Sequence, residues 1–262
     1  MKMEWADNKE REAAAVIPTA DMSQERVSDL VKELDEARVD ALLVEDTLPA
    51  FSFSRSMNAG IREALMHNDV KCVVLSNDDV FNLVGMKEMV EWAMRSGGYA
   101  APTVNGEAGT FIVTRSRTAF IAAMGLKKKA PFYALRFIKT VSGIEGACYP
   151  RPAILGRSRA VLNVQPMSVI SRELLVHEQF NEDIVNGLED TELAVRLSRR
   201  CGHHWRIDPE WRISHRGGAS FKKDRTRPGL FIYNDDRQFR HNFQVFVHAV
   251  NPGIEEYHDT RS

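Results

Sequence analysis

The sequence predicts an α/β fold, with a mostly parallel central sheet flanked by helices in a single domain that carries a C-terminal helical extension. Three observations predict it. Ala13–Ile17, Ala41–Val44 and Cys72–Leu75 are short, near-continuous apolar runs, the pattern of strands covered on both faces. Helix-period segments separate these runs. Each run ends in polar residues: Thr19 and Asp21 after the first, Asp46 after the second, Asp78 and Asp79 after the third. In such sheets ligands bind outside the carboxyl ends of the strands, so these residues are the first candidates for a site.

Taken in order, the first strand is stopped by Pro18. Asp21-Met22-Ser23 is a helix start, and Val27, Leu30, Val31, Leu34 and Ala37 then recur at helical spacing. The second strand runs into Glu45-Asp46-Thr47. A helix over Arg55–Met66 places Met57, Ile61, Ala64 and Leu65 on one face. The third strand ends in Ser76-Asn77-Asp78-Asp79, and a helix aligning Met86, Met89, Val90 and Ala93 follows. Tyr99–Val104, Thr110–Thr114 and Leu162–Ser171 read as further strands, Glu189–Arg200 as a helix, and Phe231–Val250 as an aromatic amphipathic helix. The implied organisation is a tail over 1–12, a main domain over 13–220 and a C-terminal extension over 221–262. Within the main domain, 13–114 is the first half, 115–161 an irregular insertion and 162–220 the second half.

Bulk composition narrows the class. The chain has 262 residues, 44% hydrophobic and 27% charged, an ordinary globular balance. A net charge of −1 gives no global attraction for nucleic acid. Cys72, Cys148 and Cys201 are far apart and form no CxxC pair, which speaks against a zinc knuckle or disulfide framework and for reduced thiols in the cytoplasm. The first twelve residues are charged and lack the apolar core of a secretory signal. No apolar run approaches the roughly 20 residues of a membrane helix, so any membrane contact is expected to be peripheral.

The first strand is followed by Pro18-Thr19-Ala20-Asp21, without the glycines of a dinucleotide fingerprint or a P-loop. Phosphates bound here would need another counter-charge. A magnesium or manganese ion on the carboxylates Asp78 and Asp79 is one source, since carboxylate oxygens suit hard cations. The same tetrapeptide also reads as a plain turn. Glu189 and Asp190 open a helix, where Asp190 suits a general base or merely caps it. His215-Arg216-Gly217-Gly218 permits close approach to a ligand, and His203-His204 reads as structural or solvated. Lys127, Lys128, Lys129, Arg136 and Lys139, interleaved with Phe132, Tyr133 and Phe137, form a solvated basic loop or a surface for an acceptor or anionic lipid.

The order of these motifs resembles an inverting family-2 glycosyltransferase with the GT-A (Rossmann-like) fold. The residues that carry the resemblance are Val16-Ile17-Pro18-Thr19, Val44-Glu45-Asp46, the Asn58-Ala59-Gly60 helix start and Leu75-Ser76-Asn77-Asp78-Asp79. Leu188-Glu189-Asp190-Thr191-Glu192 and His215-Arg216-Gly217-Gly218 complete it. It extends from about Ala14 to Ser220 and fits poorly between Arg115 and Val161. The resemblance implies a nucleotide-diphosphate sugar donor, with Pro18, Thr19, Asp46, Arg55, Asn58 and Asp78 around the nucleotide. It implies Mn2+ or Mg2+ on Asp78, Asp79 and His215, with Asp79 foremost. Asp190 would be the catalytic base with Glu189 beside it, and the acceptor a glycan, lipid-linked or protein hydroxyl. Ser76 departs from the family, which often has an acid there. A sugar-phosphate nucleotidyltransferase is a rival reading, although the Gly-rich basic loop of those enzymes is absent after the first strand. A degenerate domain that binds nucleotide or glycan without turnover is another.

Overall fold

A computed structural model describes residues 1–6, 11–47, 51–105, 107–108, 110–114, 145–148, 159–185, 187–202, 205–216, 241–242 and 245. Most of the segment 115–161 with its basic-aromatic stretch, His203 and His204, Gly217–Ser220 and nearly all of the helix expected over Phe231–Val250 lie outside these residues.

The central strand is β2 (Ala13–Thr19), with all seven residues buried. It pairs in parallel with β3 (Asp40–Glu45) on one side and with β4 (Cys72–Ser76) on the other. Small Ala13, Ala14 and Ala15 followed by branched Val16 and Ile17 suit a strand covered on both faces. Alternate side chains feed two apolar clusters. Ala14, Val16, Leu42, Val44, Val73 and Leu75 enter one, while Ala13, Ala15, Ile17, Ala41, Leu43 and Val74 enter the other. Helix α1 (Glu25–Glu36) covers the second cluster with Val27, Leu30 and Leu34 at spacings of three and four. The Asp21 carboxylate accepts from the backbone N–H of Ser23 at 2.9 Å, so Asp21 forms a turn ahead of the helix rather than its cap. Helix α2 (Phe53–Met66) covers the first cluster with Met57, Ile61 and Ala64. The Ser52 side chain caps it by accepting from Arg55 N. Beyond β4 come β5 (Val80–Val84) and α3 (Met86–Ser96), bounded by Gly85 and Gly97, both left-handed.

The expectation of a mostly parallel sheet flanked by helices in a GT-A arrangement is corrected here. The sheet is mixed and strongly curled, with few helices. Lys2–Trp5, expected as part of a tail, forms β1 and runs antiparallel along the edge of β3. Strand β12 (Met167–Ser171) enters antiparallel beside β4, with Met167 opposite Ser76. β6 (Tyr99–Ala100) then pairs antiparallel with β12, and β13 (Trp205–Arg206) parallel with β6. The seven-stranded order is β1-β3-β2-β4-β12-β6-β13. The physical reason is that apolar periodicity reports burial, not direction. Met167–Ser171 is buried at every residue, as a parallel strand would be, but the chain reaches it from the carboxyl edge of β4.

Two smaller sheets complete the described residues. β14 (Arg212–His215) pairs antiparallel with β5 and parallel with β7 (Thr103–Val104), which meets β8 (Glu107–Ala108). β9 (Thr110–Thr114) lies between β10 (Glu145–Cys148) and β11 (Arg159–Leu162). The Thr110–Thr114 strand is as expected, whereas the single strand expected over Leu162–Ser171 is split between β11 and β12. After the short α4 (Arg172–Leu175), α5 (Glu189–Arg200) lays Leu193, Ala194 and Leu197 on the α2 side of the sheet.

Gly60 sets how closely α2 approaches the sheet. A methyl group there would collide with the Val16 side chain and sit 2.9 Å from Val44 Cγ2. Both valines belong to buried parallel strands and have little room to shift. Gly60→Ala is expected to destabilise the fold by about 1–3 kcal/mol, the usual cost of overpacking, despite alanine's higher helix propensity. Urea unfolding measures this, and a variant as stable as wild type would refute the close approach.

Candidate functional site

Parallel pairing brings the carboxyl ends of β2, β3 and β4 side by side. Thr19, the last residue of β2, joins them. Its carbonyl accepts from Asp46 N at 3.1 Å, and its hydroxyl donates to Asp78 Oδ2 at 2.9 Å. Pro18 lies beyond the ladder with β4, which ends at the Val16–Leu75 pair, so its missing N–H breaks no bond there.

Asp46 is 6% exposed. Its Oδ2 accepts from Arg55 Nη2 at 3.0 Å and from Ser56 Oγ at 2.9 Å. Burial pushes the Asp46 carboxyl up, but the hydrogen bonds from Arg55 and Ser56 and the charge of Arg55 outweigh it and hold the group below the usual range. The Asp78 carboxylate accepts from the Thr19 hydroxyl at 2.9 Å and from Arg26 Nη2 at 2.8 Å. A crowd of acids at adjacent strand ends needs positive charge among them, and Arg26 and Arg55 supply it.

Asp79 meets His215 across the antiparallel β5–β14 ladder, in which His215 stands opposite Val80. His215 Nε2 lies 2.9 Å from Asp79 Oδ1. Asn105 fixes the backbone of His215 in both directions, accepting from its N–H and donating to its carbonyl, each at 3.1 Å. The Asn77 amide is 3.5 Å from His215 Nε2. Among the described residues no group of three or more His, Cys, Asp or Glu is placed to hold a metal ion. Asp79 and His215 face each other directly as an acid–imidazole pair. Asp78 is engaged by Thr19 and Arg26.

Asn58 bonds the chain ahead of α5. Its amide donates to the Phe180 carbonyl and to Glu182 Oε1, both at 2.9 Å, and its Oδ1 accepts from Phe180 N at 2.8 Å. It ties α2 to the chain leading into α5. That chain ends in Gly187 and the left-handed Leu188, which open α5 with Glu189 and Asp190. Asp190 accepts from Thr191 N at 2.8 Å and bonds the Asn163 side chain. Asn163 precedes Pro166, whose carbonyl accepts from Asn77 N at 2.9 Å. A segment of four residues therefore runs from the Asp190 contact to the Asn77–Asp79 turn, at the carboxyl edge of β4.

Burial drives both acids of α5 up. Glu189, with the Asp190 charge adding to burial, is pushed up to about 8. Asp190 is raised by burial, partly offset by its bonds from Thr191 and Asn163. The two carboxyls titrate as a pair rather than as separate groups.

Sequence reasoning missed Arg26, Asn105, Asn163 and Asn242. Asn242 is fully buried and bonds Val185 and Gly187 just ahead of Glu189. Of the four, Arg26 left a signal: it is a cation one helical residue beyond the first strand-end loop. The asparagines act across more than 25 residues of chain and left none.

No family model matches the chain, and no curated protein matches it in sequence. Two solved structures are similar in part. The protein A197 from STIV aligns with a TM-score of 0.44 at 10% identity, over 78% of this chain and 85% of that one. A glycosyltransferase involved in the glycosylation of the major capsid of PBCV-1 aligns with a TM-score of 0.35 at 7% identity, over 87% of this chain and 98% of that one. Neither TM-score reaches 0.5.

The raised Glu189 carboxyl has a stability consequence. The folded state holds a proton that the unfolded chain releases between its ordinary 4.5 and about 8. The stability this contributes is full below that window and is lost as pH rises through it, at up to about 1.4 kcal/mol per pH unit. Glu189→Gln keeps the shape and removes the titration. Its stability relative to wild type is expected to climb from pH 5 to pH 8, measured by urea unfolding at each pH. A difference that stays flat across this range would refute the buried protonated carboxyl.

Proposed function

We propose that this protein transfers a sugar from a nucleotide-diphosphate donor to an acceptor hydroxyl, with inversion at the anomeric carbon. The observation that carries the reading is the convergence of Asp46–Arg55, Thr19–Asp78–Arg26 and Asp79–His215 on one sheet edge, with Asp190 linked to that edge through Asn163. No helix among the described residues is long and apolar enough to cross a membrane. The acceptor is a glycan, lipid-linked or protein hydroxyl.

In this reading Asp46 and Arg55 bind the nucleoside end, and Pro18 and Thr19 form the floor beneath it. Asp79 and His215 would hold a manganese or magnesium ion, which would supply positive charge to the diphosphate leaving group. Asp190 accepts the proton of the acceptor hydroxyl as its oxygen bonds to the anomeric carbon and the bond to the diphosphate breaks. A carboxylate raised by burial is a better base near neutral pH than an ordinary aspartate. The second reading, a binding domain without turnover, is favoured by Ser76. Its hydroxyl bonds the Asn77 carbonyl where the family often has an acid, and among the described residues no three His, Cys, Asp or Glu gather to hold a metal.

Calorimetric titration of UDP, GDP and dTDP with and without manganese tests the donor site. One nucleotide is expected to bind more tightly with manganese, and Asp79→Ala should lose that increment. No binding of any of them would refute the donor reading. Asp190→Asn is expected to retain nucleotide binding and to lose transfer by about 10²–10⁴-fold, the usual contribution of a general base. Binding without turnover in wild type, over a panel of sugar donors and acceptors, would favour the second reading.

A further inference from the structure

A cleft of about 360 Å³ opens beside the strand ends, between the outer face of α1 and the β5–β14 ladder. Arg26, Lys32, Asp79, Phe81 and Arg216 are among its walls. The cleft also has four acids, Asp29, Glu33, Glu36 and Asp79. Asp29 pairs with Lys32, and Glu33 accepts from the backbone N–H groups of Asn82 and Leu83. Glu36 ends α1, about 15 Å along the helix from Arg26. Two guanidinium groups, those of Arg26 and Arg216, lie in the lining. Arg216 is exposed, lies 5.1 Å over the Phe81 ring and, among the described residues, forms no ion pair. Its backbone N–H donates to the Asp79 carbonyl at 3.2 Å, which places it next to the Asp79–His215 pair.

Arg26 is the more informative of the two. Asp78 holds it by Nη2 at 2.8 Å, while its Nε is buried with no partner among the described residues. A buried donor left unmade is costly. A guanidinium anchored on one nitrogen keeps another N–H free for a phosphate, the anion its planar fork matches.

We propose that this cleft is a diphosphate subsite in which Arg26 and Arg216 grip the donor's diphosphate independently of any metal, and that Asp78 is the anchor that aims Arg26 rather than a metal ligand. The inference rests on the donor reading above and adds a second source of positive charge to it. It implies that diphosphate binding persists when divalent cations are removed.

The test is calorimetric titration of inorganic pyrophosphate and of UDP, GDP and dTDP, in EDTA and in manganese, on wild type, Arg26→Ala, Arg26→Lys and Arg216→Ala. Thermal unfolding serves as the folding control, and Arg216, being exposed, provides a variant whose fold is not at stake. Wild type is expected to bind pyrophosphate in EDTA. Arg26→Ala and Arg216→Ala should each weaken it at least about tenfold, the loss of one charge-assisted contact. Arg26→Lys should recover only part, because an ammonium keeps the charge without the fork. Nucleotide binding that needs manganese and is unchanged in both alanine variants overturns the subsite and leaves the donor reading standing. Absence of nucleotide binding under either condition overturns the donor reading and the subsite with it.

Discussion

Strand β2 is paired in parallel on both sides, and the site depends on that constraint. Parallel neighbours end at the same edge, so Thr19, Asp46 and Asp78 arrive together although 59 residues separate the first from the last. Thr19 uses its carbonyl for one neighbour and its hydroxyl for the other. The same strand has to be thin enough for helices to pack over it. Alanines at its start and Gly60 on α2 permit that approach, and Asp46 then meets Arg55 and Ser56 on the first turn of the helix.

Carboxylates gathered at one edge repel each other, and the protein answers in two ways. Around the strand ends it brings arginines: Arg55 to Asp46 and Arg26 to Asp78. These are charge-assisted contacts at mostly buried acids, stronger than exposed ion pairs. At α5 burial raises the carboxyls of both Glu189 and Asp190 instead. The two solutions suit two tasks. Ionised, anchored groups can bind a charged ligand, while a raised carboxyl can exchange a proton near neutral pH.

The platform under α5 is built from long-range polar contacts. Arg196 bonds Glu192 within the helix and Glu178 before it, with Glu192 almost fully buried. Asn58 and Asn242 hold the chain entering α5 from opposite sides, one through Phe180 and Glu182, the other through Val185 and Gly187. Arg172 donates to the carbonyls of Leu65, His67 and Val70, closing the exposed end of α2. Removing one partner from such buried contacts leaves another unmet, which makes the support for Asp190 cooperative.

The sequence by itself determined the buried strands and the helices over them. Apolar periodicity marked β2, β3, β4 and the stripes of α1, α2, α3 and α5, because local burial leaves a local pattern. It also marked Thr19, Asp46, Asp78 and Asp79 as strand-end residues. Direction and partner were decided only in three dimensions. Met167–Ser171 carries the same apolar run whether parallel or antiparallel, and the order of strands alone places it beside β4. Lys2–Trp5 has no buried face to betray it, and it joins the sheet through backbone bonds to β3 that any sequence can make. Arg26 on Asp78, Asn105 on His215 and Asn163 on Asp190 pair residues distant in the chain. Such contacts arise from the closing of the fold, and no spacing in the chain encodes them.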